Sequence, residues 1–370
     1  MAQKMKLERS GEPVYSELFE DITFQIENGF LQPGAYLPSE NELGERYNIS
    51  RLSVRTALQK LVENNLVEKL PGKGTAIKEG SVAPAEAKTR TIGMLNLHNQ
   101  LEAWSENPFY GPILRGIEYQ ARVNNYSLFL NSLETPKDEF DFYRRLHPEK
   151  VDGFLLLGPV EEELVEFLRK ITPRKPFCFI DHSPAGANAN CVMSANLKGT
   201  CEATSHLIGL GHRKIAFIGW APRQRHISLR LKGYRKALED HGIIFDPGLV
   251  EDRRTEKGEF CQPMTRLLDS RPEITAVVCA NDTDIAFPAI KAIRDKGLKV
   301  PEDISVVGYD DVYSARFFHP SLTTVAVDKK SMGEEAVKRL LALFENPFLA
   351  PRQIVVETKL VVRDSTAPPR

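Results

Sequence analysis

The stretch from Leu31 to Ala76, LQPGAYLPSENELGERYNISRLSVRTALQKLVENNLVEKLPGKGTA, orders its signals in a way that leaves few folds open. A Pro33-Gly34 turn precedes Ser39, a good N-cap for a short helix to about Tyr47. Asn48-Ile49-Ser50 then supplies a tight turn in which Ser50 can cap a second helix. Along that second helix Val54, Ala57, Leu58 and Leu61 fall at i, i+3, i+4 and i+7, so one face must pack while Arg51, Ser53, Arg55 and Thr56 point outward. Pro71-Gly72 and Gly74 suit a tight hairpin with Lys73 at its tip. Upstream, Val14, Leu18, Phe19, Ile22 and Ile26 give a further amphipathic helix to close the core. Helices and hairpin in this order describe a winged helix-turn-helix, mostly α with a small β wing, spanning residues 8–78.

A helix that presents arginines and small hydroxyls from its first turns suits the major groove of double-stranded DNA. There Arg grips guanine edges and hydroxyls reach phosphates or bases. Local charge agrees. Residues 8–45 carry nine acids and one base, whereas residues 46–78 carry seven bases and two acids, although the whole chain is nearly neutral at -1. Positive charge therefore gathers on the second helix and the wing, where phosphate neutralisation needs it. The bland alternative is that Arg51 and Arg55 are only a solvated helix face.

The PG turn, LPSENEL, the SR-x-SVR-x-AL-x-x-L core and the GKGT wing resemble the GntR family of winged-helix regulators over about the first 78 residues. The resemblance implies DNA contacts at Asn41, Arg51, Ser53, Arg55, Thr56, Gly72 and Lys73. Several members of that family carry an arginine where this chain has Asn41, which implies a different base preference and not a loss of DNA binding.

At 370 residues the chain is too long for one small head. No apolar run approaches the roughly 20 residues of a membrane span and no secretory signal is evident, so a cytoplasmic location is expected. Five cysteines without C-x-x-C pairing are expected to be reduced, and no metal or cofactor is expected. Enzyme signatures (G-x-S-x-G, a P-loop, H-E-x-x-H) are missing, which argues against catalysis. Residues 79–90, EGSVAPAEAKTR, read as a linker.

From residue 91 the pattern changes to short buried strands alternating with amphipathic helices. Strands are expected at 91–96, 126–131, 151–157 and 177–181, with helices near 110–124, 138–147 and 161–171. A second set has strands at 214–219, 276–280 and 304–309 and helices near 197–210, 228–241, 259–269 and 283–296. Residues 322–328, a helix near 331–345 and paired strands at 353–358 and 360–363 complete the lobes by chain crossings. Two similar α/β lobes result.

The motifs NPFYGPILRGIE, VDGFLLLG, HLIGLGHRKIAFIG, SLRLKGYRKAL, AVVCANDTDIAFPAIKAIRDKGLKVPEDISVVGYDD and LTTVAVD resemble the LacI/GalR effector domain, a two-lobed fold of the periplasmic-binding-protein type, over residues 91–366. The pairing with a GntR head is similar to that of arabinose-responsive repressors. By motif position the resemblance implies effector contacts at Asp181, Arg230, Asn281 and Asp310. These types suit a polyol: carboxylates accept from adjacent hydroxyls, Asn offers a donor and an acceptor, and Arg donates a fork. Arg230 and Asp310 could also pair. Alternatively Asp310 and Asn281 cap the elements after them.

The resemblance also implies that Phe109 and Tyr110 lie where the first helix enters the cleft, so that either ring could stack on a sugar or a base, the alternative being core packing. Trp220, and more weakly Trp104, carry the same two readings. Arg223, Arg225, His226 and Arg230 form a cationic run that would favour an anionic effector if it is not simply solvated surface.

The expectation is a ligand-responsive transcriptional regulator: a repressor of carbohydrate-utilisation genes, released from operator DNA by a sugar such as arabinose, and working as a homodimer. A phosphorylated sugar or nucleobase effector, an activator role, or a solute-binding protein without regulatory role are the alternatives.

Overall fold

The computed structural model describes residues 15–27, 31, 33–47, 49–78, 88–96, 108–132, 146–158, 162–172, 175–182, 189–219, 224–251, 260–346 and 349–370. The chain divides into two compact units, residues 1–88 with 167–174 and residues 89–166 with 175–370.

In the first unit, α1 (Ser16–Glu27), α2 (Glu40–Tyr47) and α3 (Arg51–Glu63) are followed by a hairpin of β1 (Val67–Leu70) and β2 (Gly74–Ile77). Ser39 and Glu42 form a reciprocal cap at the start of α2. The Ser39 amide donates to Glu42 Oε2 (2.8 Å) and the Glu42 amide donates to Ser39 Oγ (3.3 Å). Ser50 caps α3 by accepting from the Ser53 amide at 3.1 Å. The expected apolar face of α3 is buried, and Leu18, Ile22, Ile26, Leu43, Val67 and Ile77 close the core over it. Val14 lies outside the described residues. The hairpin turn needs a left-handed residue, supplied by Gly72 (φ 75°), and the Lys73 amide closes the turn on the Leu70 carbonyl at 3.0 Å.

In the second unit, one six-stranded sheet has the order β13-β7-β6-β5-β3-β4: Gln353–Val356, Cys191–Ser194, Phe177–Ile180, Gly153–Leu157, Thr91–Asn96 and Ser127–Ser132. All its neighbouring strands are parallel. The other sheet has the order β14-β12-β11-β10-β8-β9: Thr358–Val361, Thr323–Val327, Ser305–Asp310, Ala276–Cys279, Ile215–Ile218 and Val250–Glu251. Only its edge strand β14 is antiparallel. Central runs such as GFLLL, IAFI and AVVC are buried throughout, as parallel strands covered by helices on both faces must be.

The described helices after residue 91 are α4 (Tyr110–Val123), α5 (Glu162–Ile171, its residues 167–171 in the first unit), α6 (Asn196–Gly209), α7 (Arg225–Asp240), α8 (Gln262–Ser270), α9 (Phe287–Asp295) and α10 (Lys329–Glu345). Each lobe contains one helix pair drawn together by glycine. A Cβ at Gly116 of α4 would overlap the Lys330 carbonyl of α10, and one at Gly233 of α7 would overlap the Leu197 carbonyl of α6. The chain passes between lobes three times: from β7 to α6, from β12 to α10, and from β13 to β14.

Two expectations are corrected. The strands expected to pair with each other at 353–358 and 360–363 do not. β13 joins β7 in the first sheet and β14 joins β12 in the second, because the one residue between them, Glu357, carries the chain across the lobes and makes no hairpin. The expected helix at 283–296 begins as a π-turn, Asp282–Ala286, before α9. Strands β7 and β9 were not foreseen, being four and two residues long. The expected helix at 138–147 lies outside the described residues except for its last two.

Candidate functional site

The winged head carries the first set of candidate residues. Asn41, Arg51, Arg55, Gly72 and Lys73 are exposed, and Ser53 and Thr56 are half-buried. Two of the hydroxyls are already engaged. Thr56 Oγ1 donates to the Leu52 carbonyl one turn back (3.0 Å), and Ser53 Oγ lies 2.9 Å from Ser50 Oγ. Leu52 stands 75% exposed at the start of the same helix, an apolar contact suited to a thymine methyl.

Sequence reasoning also missed a brace. Arg51 Nε and Arg55 Nε each donate to the same oxygen of Glu40, both at 2.9 Å, so the first residue of α2 holds the two arginines of α3 side by side. The paired guanidinium groups keep the Glu40 carboxyl below the usual carboxylate range. The signal was present as an acid at the first position of one helix and bases one turn apart at the start of the next.

The second set of candidates lies in the α/β unit, where the C-terminal ends of parallel strands from both lobes converge. Asp181 follows β6 in a left-handed conformation (φ 62°), and Asp310 ends β11 (φ 113°). Arg230 belongs to the second turn of α7, and Phe109 and Tyr110 start α4. Asp181, Arg230 and Asp310 are all more than 90% buried.

Arg230 is the centre of this cluster. Its Nε donates to Asn196 Oδ1 (2.7 Å), Nη1 donates to the Ala280 carbonyl, and its guanidinium lies 3.7 Å from the centroid of the Tyr309 ring. Nη2 faces Asp310 Oδ1 at 3.6 Å, so the expected pair exists, at ion-pair and not hydrogen-bond distance. Neither Asp310 Oδ1 nor Asp181 Oδ1 has a hydrogen-bond partner among the described residues, although both atoms are buried. Such oxygens call for a donor.

Burial pushes the Asp181 carboxyl up to about 7, with Arg230 opposing and Asp310 adding to the rise. Burial likewise raises Asp310 to about 6, against the pull of Arg230 and Lys329 and with a push from Asp284. Near neutrality Asp310 is mainly an acceptor, while Asp181 both donates and accepts. Tyr110 lies close enough that Asp181, Asp310 and Asp284 all raise its hydroxyl pKa, after the larger effect of burial. Phe109 meets Tyr110 edge-on at 5.2 Å.

The other candidates fare differently. Asn281 Oδ1 accepts from the amides of Asp284 (2.8 Å) and Ile285 (3.1 Å), so its oxygen caps the π-turn and only its NH2 group is left to face a ligand. The neighbouring Asp282 is fully buried and structural, accepting from Thr324 Oγ1 (2.7 Å) and the Val312 amide (3.0 Å). Trp220, Trp104 and Arg223 lie outside the described residues. Arg225 Nη2 donates to Gln353 Oε1 at 3.3 Å. Arg230 is held inside among carboxyls and is not part of one exposed cationic run with Arg225.

Sequence reasoning did not single out Asn196, Asp284 or Lys329, which reach the cluster only through the lobe crossings and the π-turn. The five cysteines are thiols outside any disulfide, and no group of metal-binding side chains occurs among the described residues. Nor is any described helix long and apolar enough to cross a membrane.

Residues 14–77 match the model of the gntR family of bacterial regulatory proteins, and residues 204–366 match that of the periplasmic binding protein-like domain. The HTH-type transcriptional repressor PurR of Haemophilus influenzae (strain PittEE) is 30% identical over 297 residues, 79% of this chain and 88% of the relative. The chain belongs to the PurR/LacI family of transcriptional repressors. Within that family its head is of the GntR type.

Among solved structures, the complex of the transcriptional regulator CelR with cellobiose is 25% identical, with a TM-score of 0.69, covering 89% of this chain and all of that one. A LacI family regulator from Enterococcus faecium with bound ribose is 28% identical, with a TM-score of 0.62, covering 75% of this chain and 99% of that one. The repressor family to which the chain belongs binds operator DNA and a small-molecule effector, and the protein is a ligand-responsive DNA-binding transcriptional repressor.

Proposed function

We propose that this repressor controls carbohydrate-utilisation genes and leaves its operator when a neutral sugar binds between the lobes. The observation that carries the reading is the pair of buried carboxyls, Asp181 and Asp310, each with an oxygen lacking a hydrogen-bond partner among the described residues, and the Arg230 guanidinium that faces Asp310 and acts on Asp181. Hydroxyls of a sugar satisfy these atoms without adding charge, whereas a phosphate would bring further negative charge to Asp284 and to Asp310, which Arg230 and Lys329 already face. The bound cellobiose and ribose of the two similar structures support the class, with arabinose a third member of it.

In this reading Asp181, Arg230, Asp310 and the Asn281 NH2 group bind hydroxyls, and Phe109, Tyr110 and Trp220 cover the apolar face of the ring. Asn41, Arg51, Ser53, Arg55, Thr56, Gly72 and Lys73 meet DNA. The domains are residues 8–78, a linker at 79–90, and residues 91–366. The protein acts in the cytoplasm as a homodimer, since one head makes few contacts and a two-fold operator matches a two-fold protein. Effector closes the lobes about their three crossings and changes how two copies present their heads to the half-sites.

A nucleobase is the second reading, favoured by the likeness to PurR repressors, with one of the two edge-on rings, Phe109 or Tyr110, available to stack on a flat base. A thermal-shift series with ribose, arabinose, cellobiose, ribose 5-phosphate and adenine tests both, because a ligand that binds only the folded state raises its melting temperature. A sugar shift lost in Asp310→Asn supports the proposal. Shifts with adenine or the phosphate alone overturn it.

A further inference from the structure

Lys329 is the first residue of α10, a helix that packs on α4 and the sheet of the first lobe. It is 8% exposed, a burial that an ammonium tolerates only with partners. Those partners are backbone carbonyls. Nζ donates to the carbonyl of Asp310, with those of Asp311 (3.4 Å) and Val327 (3.3 Å) completing its surroundings. Asp310 and Asp311 end β11 in the other lobe, so the side chain reaches back across the β12–α10 crossing to hold a turn of the lobe that its own helix does not belong to.

That turn needs holding. Asp310 and Asp311 both have positive φ (113° and 49°), which L-residues with a Cβ rarely adopt, and such conformations persist only when the surroundings impose them. Arg363 Nη2 fixes the side chain of Asp311 at 2.7 Å, but among the described residues no hydrogen bond reaches Asp310 Oδ1. The carbonyl contact with Lys329 therefore holds the backbone that carries the Asp310 side chain, whose Oδ1 Arg230 Nη2 faces at 3.6 Å. The same ammonium lies 5.9 Å from the Phe109 ring, at the first-lobe side of the cluster. The carboxylates facing it are those of Asp310, Asp282, Asp311 and Asp328.

We propose that Lys329 is a positioning residue of the effector cleft: from the first turn of a first-lobe helix, its ammonium pins the strained Asp310–Asp311 turn of the second lobe and so holds the backbone that carries the Asp310 carboxylate. The relevance to effector binding rests on the reading of this cleft as the ligand site. The pinning itself does not, and it can be tested without a ligand.

The experiment is hydrogen–deuterium exchange by mass spectrometry on the full-length protein, comparing Lys329→Met, Lys329→Arg and wild type. The pinning predicts that Lys329→Met accelerates exchange at the amides of Asp311 and Val312 by tenfold or more. Peptides from β8, β10 and α9 should be unchanged, and Lys329→Arg, which keeps a charged donor, should restore most of the protection. Exchange at the turn within twofold of wild type would overturn the proposal. A uniform rise across the whole second lobe would also do so, because it would show that Lys329 only stabilises the fold. Absence of any sugar shift in the thermal series, with the local exchange result intact, would refute the sugar reading and leave the pin standing.

Discussion

Asp181 provides a prediction in which stability and function move in opposite directions. Its carboxyl is raised from 3.8 to about 7 because it is buried with too few donors. A group whose folded pKa lies above its unfolded value stabilises the fold below the unfolded pKa and loses that stability as pH rises through the folded one. The penalty is therefore absent below about pH 4, grows between about 4 and 7, and is complete above about 7. At about 1.4 kcal/mol per unit, the rise corresponds to roughly 4 kcal/mol at alkaline pH, of which about 3 kcal/mol develops between about pH 4.5 and about pH 8.

Asp181→Asn removes the ionisation and keeps the shape, and Asn accepts the left-handed backbone at this position. Urea unfolding followed by tryptophan fluorescence reads the α/β body alone, because both tryptophans of the chain, Trp104 and Trp220, fall within it. The variant should unfold at higher urea than wild type at about pH 8, the advantage shrinking by about 3 kcal/mol at about pH 4.5. It should also bind the sugar more weakly, because the Asn NH2 replaces a carboxylate oxygen and cannot accept from a sugar hydroxyl. A difference between variant and wild type that does not change with pH would refute the argument.

Further predictions concern the head and the helix packing. Glu40→Gln should alter stability by less than about 1 kcal/mol, because both of its partners are more than half exposed, yet weaken operator binding several-fold by unbracing Arg51 and Arg55. Tighter binding in an anisotropy titration would mean that Glu40 competes with DNA instead. Arg55→Ala should lower operator affinity by about 1–3 kcal/mol while leaving the thermal shift by sugar intact. Gly233→Ala should destabilise the body by about 1–3 kcal/mol, since its Cβ would overlap the Leu197 carbonyl. Gly209→Ala, at a position with nothing within 4 Å, should be neutral or slightly stabilising in the same urea assay.

The head was legible because its signals are local. Ser39, Ser50 and the Gly72 turn act on residues three or four positions away, and the buried face of α3 follows from periodicity alone. Periodicity also placed most strands of the body, but it could not say which sheet a strand joins. β13 and β14 therefore read as a hairpin, although Glu357 carries the chain from one lobe to the other. The cleft was partly legible for the same reason. Asp181 and Asp310 announce themselves as acids directly after apolar strands, whereas Asn196 and Lys329 stand at helix starts that become part of the cluster only once the crossings bring the lobes together. Asn281 was chosen for its side chain, and the turn it caps takes up its oxygen.

In the proposed mechanism one sugar-filled cleft controls the grip of the head on DNA. Its most direct test is a fluorescence-anisotropy titration of the full-length protein against a duplex selected from random sequences by the protein itself, with and without saturating amounts of the sugar that shifts its melting temperature. The sugar should weaken operator binding by about tenfold or more, within the usual range of about 1–3 kcal/mol of allosteric coupling, and Asp310→Asn should bind the duplex normally but no longer respond. Operator affinity unchanged by a sugar that demonstrably binds, or strengthened by it, would contradict release by sugar.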